Sequence, residues 1–138
     1  MARKLAYTLR IPIRWGDMDA MGHVNNTLYF RYMEEARTTW YDSVGINDNG
    51  PALPAGCGPV IVNAGCTFVK AMRYPGDVEV KLYLDQPGNS SVMTIYEMRA
   101  GDDPGTLCAE GTAKAVWIDM AHEKSIPLPD PVRALLEA

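Results

Sequence analysis

The densest group of chemically capable side chains in this 138-residue sequence is Asp17, Asp19, His23, Asn25 and Asn26. They fall in and just after a glycine-flanked stretch, Gly16-Asp17-Met18-Asp19-Ala20-Met21-Gly22, which runs straight into a segment with helical spacing. The start of a helix exposes N–H groups with no intrahelical acceptor and carries a partial positive charge. Both suit a carbonyl oxygen that is becoming an oxyanion. A carboxylate in the preceding loop can attack that carbonyl or activate a water to do so. The same residue types also make an ordinary turn followed by an Asn N-cap. Residue type alone leaves both readings open and does not choose between the two aspartates.

The elements that must position this cluster are readable from periodicity. Leu5, Tyr7, Leu9, Ile11, Ile13 and Trp15 alternate with Lys4, Thr8, Arg10 and Arg14, the pattern of a half-buried antiparallel strand. Pro12, on the outer face, predicts an edge or a bend. From Asn25 to Val44 the period changes: Leu28, Tyr32, Ala36 and Trp40 recur every four residues, beside Tyr29 and Met33. Asn25 or Asn26 caps this helix and Gly45 closes it. Phe30 and Tyr41 widen its apolar arc, so the helix must be wrapped; Arg31–Glu35 and Glu34–Arg37 can pair on what polar face remains.

Residues Asn47 to Pro59 are rich in Gly and Pro and read as a loop or lid. Val60, Val62, Ala64, Cys66 and Phe68 then alternate with Ile61, Asn63, Gly65, Thr67 and Val69. Both faces are apolar or small, which predicts a central strand covered on both sides. Val78 to Leu84, Val92 to Arg99 and Leu107 to Ile118 follow as strands joined by short Gly/Pro turns, and Asp130 as cap with Pro131 as first helical position opens a short terminal helix. One strand, one long helix and four hairpin-linked strands imply an α+β fold. A long central helix wrapped by a five-stranded antiparallel sheet, with its later strands in a meander, is the hotdog arrangement, here one domain over residues 1–138. Such a sheet leaves open edges, so a homodimer or a dimer of dimers is expected.

Composition narrows the function classes. The chain is 47% hydrophobic and 22% charged with a net charge of −4, which argues against nucleic acid or a polybasic membrane contact. No apolar run approaches the ~20 residues that span a bilayer, and the N-terminal Met1-Ala2-Arg3-Lys4-Leu5 is followed by no apolar signal region, so a cytoplasmic protein is expected. Three cysteines (Cys57, Cys66 and Cys108) form no Cys-x-x-Cys unit, and only two histidines are present, so free buried thiols are expected and no zinc site. Nucleotide-cradling glycine loops and a Gly-x-Ser-x-Gly elbow are missing too, and no cofactor is expected.

The run Arg14-Trp15-Gly16-Asp17-Met18-Asp19-Ala20-Met21-Gly22-His23-Val24-Asn25-Asn26-Thr27-Leu28-Tyr29, continued by Glu34-Glu35-Ala36-Arg37, resembles the 4-hydroxybenzoyl-CoA thioesterase family of hotdog enzymes. Its His-Val-Asn-Asn and Glu-Glu-Ala-Arg segments resemble the bacterial long-chain acyl-CoA thioesterase branch most. Weaker similarity continues through Val60-Ile61-Val62-Asn63 and Trp117-Ile118-Asp119.

The resemblance implies hydrolysis of an acyl-CoA thioester. It matches Asp19 to the family's catalytic carboxylate and leaves Asp17 structural. It also matches Asn26 to the position whose backbone N–H polarises the thioester carbonyl, with Asn25 and His23 in substrate-positioning places. Plant-type acyl-carrier-protein thioesterases share the His-Val-Asn-Asn run but carry Asn where this chain has Met21, so their Asp-Asn-His arrangement is incomplete here. His23 can be catalytic or can bond the loop backbone. Glu34 and Asn63 are supporting candidates; Glu34 can equally form a surface ion pair, and Asn63 can equally be a satisfied core amide. Tyr29, Phe30 and Met33 can line an acyl tunnel or be plain core, and Lys70 and Arg73 can meet coenzyme phosphates. The rival readings are a non-catalytic acyl-CoA-binding hotdog protein and an acyl-carrier-protein thioesterase. A hotdog hydratase would need an acid/base motif that the sequence lacks.

Overall fold

The computed structural model describes residues 3–47 and 50–138, so Met1-Ala2 and Asp48-Asn49, near the start of the Asn47–Pro59 loop, lie outside the described residues. Its elements are β1 (Lys4–Pro12), a 3-10 turn (Trp15–Asp17), α1 (Asn26–Ser43), β2 (Cys57–Phe68), β3 (Asp77–Asp85), β4 (Ser91–Ala100), β5 (Ala109–Asp119), a two-residue β6 (Lys124–Ser125) and α2 (Asp130–Glu137). The sheet is antiparallel in the order β1-β3-β4-β5-β2, with β6 added beside β5. With α1 packed on its inner face this is the hotdog fold expected from the element pattern.

Strict alternation builds the core. Val78, Val80, Leu82 and Leu84 of β3 are all fully buried, each contributing roughly 1.5–3 kcal/mol over an exposed side chain. Tyr29, Tyr32, Met33, Ala36, Trp40 and Tyr41 are the buried face of α1. Gly111 of β5 lies beneath that face, where a Cβ would sit 2.5 Å from the Met33 sulfur; the missing side chain lets helix and sheet close up. Asn25 caps α1 as expected, its Oδ1 accepting the Thr27 N–H, and Gly45 at φ +77° ends it.

The structure departs from five expectations. β2 is an edge strand, not a central one: it pairs only with β5, and Ile61, Val62, Asn63 and Ala64 are exposed. Apolarity on both faces says that a strand wants cover, not that its own chain supplies it. The later strands are consequently no simple meander, because the chain crosses from β2 at one edge to β3 beside β1 at the other. In β1, a register shift between Leu5 and Tyr7 turns Leu5 outward, and the strand stops at Pro12, leaving Trp15 78% exposed in the 3-10 turn. Finally, α1 keeps an open polar face including Arg31, Glu34 and Glu35, and no ion pair forms among them. Arg37 instead turns inward and donates to the Tyr96 hydroxyl at 3.0 Å. Tyr96 then donates to Thr94 Oγ1 at 2.7 Å, and Thr94 to the Ala113 carbonyl at 2.6 Å, so a buried polar chain is satisfied link by link. α2 begins one residue early, with Pro129 rather than Asp130 as its N-cap.

Candidate active site

Between β1 and α1 the chain makes a miniature hairpin. Met18 and Val24 form an isolated antiparallel bridge, Asp19 N–H donates to the His23 carbonyl at 2.7 Å, and Gly22 supplies the left-handed turn residue at φ +82°. Two aspartates in this loop have different surroundings. Asp17 is buried: its Oδ2 accepts the Tyr32 hydroxyl at 2.9 Å and the Arg14 N–H at 3.1 Å, and its carbonyl accepts the Asn25 N–H at 2.8 Å. It welds the loop to α1. Asp19 is exposed, with Oδ1 accepting the N–H groups of Met21 at 2.9 Å and His23 at 3.3 Å. Among the described residues its Oδ2 has no partner. The backbone thus aims this carboxylate while leaving one oxygen free.

Asp19 lines a cavity of about 280 Å³ with His23, Val24, Asn26, Tyr29, Phe68, Val69, Lys70 and Ala71. Asn26 is the first residue of α1, where a backbone N–H lacks an intrahelical acceptor. The carboxylate and the positive end of the helix therefore face one space. Burial pushes the Tyr29 phenol above its ordinary range, so it stays a neutral wall of that space. His23 Nε2 lies 3.0 Å from Arg73 Nη2; guanidinium only donates, so the ring accepts there and carries its proton on Nδ1. Lys70 meets Asp103 at 3.6 Å.

The remaining sequence candidates scatter. Asn25 serves as the cap. Glu34 and Asn63 are exposed and line none of this cavity, and Asn63 is no core amide. Tyr29 lines the cavity, Met33 is buried in the core and Phe30 faces solvent, so the three form no single tunnel. Cys108 is buried, Cys57 and Cys66 half-buried, and all are free. Sequence reasoning missed Phe68, Val69, Ala71 and Val24. They join the site because the β2–β3 crossover folds back on the loop, with Val24 N–H donating to the Met72 carbonyl at 2.9 Å. No local signal marks a contact of that range. Among the described residues no His, Cys, Asp and Glu cluster fits a metal ion, and no helix is long and apolar enough to cross a membrane.

Comparisons with known proteins identify the family of the fold. Residues 13–136 match the family model described as the thioesterase-like superfamily. The structure of PA2801, a candidate thioesterase from Pseudomonas aeruginosa, superposes with a TM-score of 0.88 and 41% identity, covering 96% of this chain and 99% of that one. A candidate acyl-CoA thioesterase from Xanthomonas campestris (XC229) gives 0.76 and 33%, covering 91% of this chain and 100% of its own. The chloroplast acyl-acyl carrier protein thioesterase ATL2 of Arabidopsis thaliana is 27% identical over 122 residues, or 82% of this chain. This chain spans 59% and 63% of the length of the curated relatives it matches.

Proposed function

The chain belongs to the thioesterase-like superfamily, and from that premise we propose that it hydrolyses acyl-CoA thioesters with Asp19 as the reacting carboxylate. The observation that carries the reading is the cavity shared by the free Oδ2 side of Asp19 and the first residue of α1. The thioester carbonyl accepts the Asn26 N–H, which gains strength as negative charge develops on oxygen. Asp19 then acts in one of two ways. As nucleophile it adds to the carbonyl carbon, expels the coenzyme thiolate and leaves a mixed anhydride that water opens. As general base it takes a proton from the attacking water, and the tetrahedral intermediate expels the thiolate. Either route consumes one water and yields the free acid and coenzyme A. Asn25 holds the helix start, and His23 fixes the loop through its main chain.

We assign the chain to the long-chain acyl-CoA branch on its His-Val-Asn-Asn and Glu-Glu-Ala-Arg runs, with coenzyme phosphates near Lys70 and Arg73. The working unit is a homodimer, or a dimer of such dimers, joined along β2. The uncovered Ile61, Val62, Phe68 and Val69 support that arrangement, which would also bring Glu34 or Asn63 of a second copy into reach. Val62→Lys should then sediment as a monomer.

The test is release of free thiol from a panel of acyl-CoA and acyl-carrier-protein esters. Asp19→Asn should lower kcat/KM by roughly 10²–10⁴-fold. Unchanged turnover overturns the role of Asp19, tight binding with no turnover favours the binding-protein reading, and preference for the carrier protein replaces coenzyme A as the leaving group. Single turnover in ¹⁸O-water labels Asp19 only if it is the nucleophile.

A further inference from the structure

Asp19 lies on two hollows, and the second is unassigned. Sharing Asp19 with the cavity at the helix start, an open groove of about 670 Å³ is lined by Trp15, Gly16, Met18, Asp19, Ala20, Gly22 and Tyr74. We propose that this groove receives the acyl chain of the thioester, so that the substrate lies across Asp19 with its chain against Trp15 and Tyr74. The inference rests on the thioesterase reading above and adds the place and polarity of the acyl subsite.

Three observations carry it. Trp15 is 78% and Tyr74 45% exposed, and neither ring packs on another aromatic ring. Two large uncovered apolar surfaces beside a reacting group are a place for apolar substrate. Secondly, the groove is built: the Tyr74 N–H meets the Met18 sulfur at 3.3 Å, tying its two walls together. At Gly16 a Cβ would meet nothing within 4 Å and no left-handed φ is required, so packing does not explain the glycine, whereas an open floor does. Thirdly, charge divides the two sides. The helix-start cavity holds Asp19, His23 and Lys70, and the neighbouring hollow runs along Lys70 and Arg73 together with Asp77, Asp102 and Asp103, so that side is densely polar and suits the polar coenzyme arm better than an apolar chain. The Trp15 side has Asp19 as its one charged residue, and an apolar chain gains by leaving water there.

Tryptophan fluorescence reads this directly. Trp40 and Trp117 are buried, so iodide quenching reports on Trp15. S-decyl-coenzyme A, a thioether that cannot be hydrolysed, should abolish that quenching, and coenzyme A alone should leave it. In the thiol-release assay, Trp15→Ala and Gly16→Leu should each lower the decanoyl-to-acetyl ratio of kcat/KM by about tenfold. Trp15 that stays quenchable with the thioether bound, Trp15 already shielded without ligand by a second copy, or an unchanged ratio in both variants each overturns the groove. Shielding of Trp15 without hydrolysis of any ester keeps the groove as an acyl site and overturns the thioesterase reading instead. Asp19-dependent hydrolysis with Trp15 still quenchable does the reverse.

Discussion

Tyr32 donates its phenolic hydroxyl to Oδ2 of Asp17 at 2.9 Å, and through that bond α1 holds the loop that carries Asp19. The buried aspartate is the fastener, and the exposed one is the proposed reacting group.

Tyr32→Phe removes a donor from a buried carboxylate and should destabilise the fold by about 1–3 kcal/mol. Urea unfolding measures this as a lower midpoint at constant slope. The loop loosens with it, so kcat should fall while the variant remains folded.

Asn25→Ala deletes the cap of α1 and should cost about 1 kcal/mol. The same change frays the helix start that presents the Asn26 N–H. A kcat loss larger than the change in KM, with far-UV circular dichroism nearly intact, is the expected signature.

The Arg73 guanidinium fixes the His23 tautomer by donating to Nε2. In ¹⁵N spectra His23 should show its proton on Nδ1, and Arg73→Leu should shift the ring toward a tautomer mixture. A predominantly Nε2-protonated ring in the unmodified protein would contradict the contact.

Alkali should weaken the fold through its tyrosines. Burial, first among the causes, raises the phenols of Tyr29, Tyr32, Tyr41 and Tyr96, and the Asp17 carboxylate raises Tyr32 further. An unfolded tyrosine ionises near pH 10, roughly the model-peptide value, while these stay protonated in the fold. Above that pH the folded state binds more protons than the unfolded one, so stability present below it is lost as pH rises. The urea midpoint should drop between about pH 9 and 11. Tyrosinate absorbance from these residues should appear together with unfolding, not before it.

Much of the architecture was legible because it obeys one-faced periodicity. Val78, Val80, Leu82 and Leu84 announce β3, and the cap at Asn25 and the stop at Gly45 bound α1. Where periodicity lacks a unique answer, the structure departs from the pattern. β2 is apolar on both faces whether it is central or an uncovered edge, and Leu5 and Tyr7 share a face only until a bulge separates them. In the candidate site, the local pieces (Asp17, Asp19, Asn25 and Asn26) were readable because they lie along one stretch of chain. Phe68, Val69, Ala71 and Tyr74 arrive through a crossover whose path only three-dimensional closure decides. Trp15, assigned by alternation to an inner face, stands out in solvent because the strand ends at Pro12.

The Asp19 carboxylate is aimed by main-chain N–H groups, and the turn beneath it depends on the backbone freedom of Gly22. Ala20 and Met21 therefore project from a frame that does not need their side chains. Substitutions there should leave the carboxylate aligned, because main-chain groups alone hold it. A library randomised at Ala20 and Met21 should yield mostly folded proteins that differ in the esters they accept.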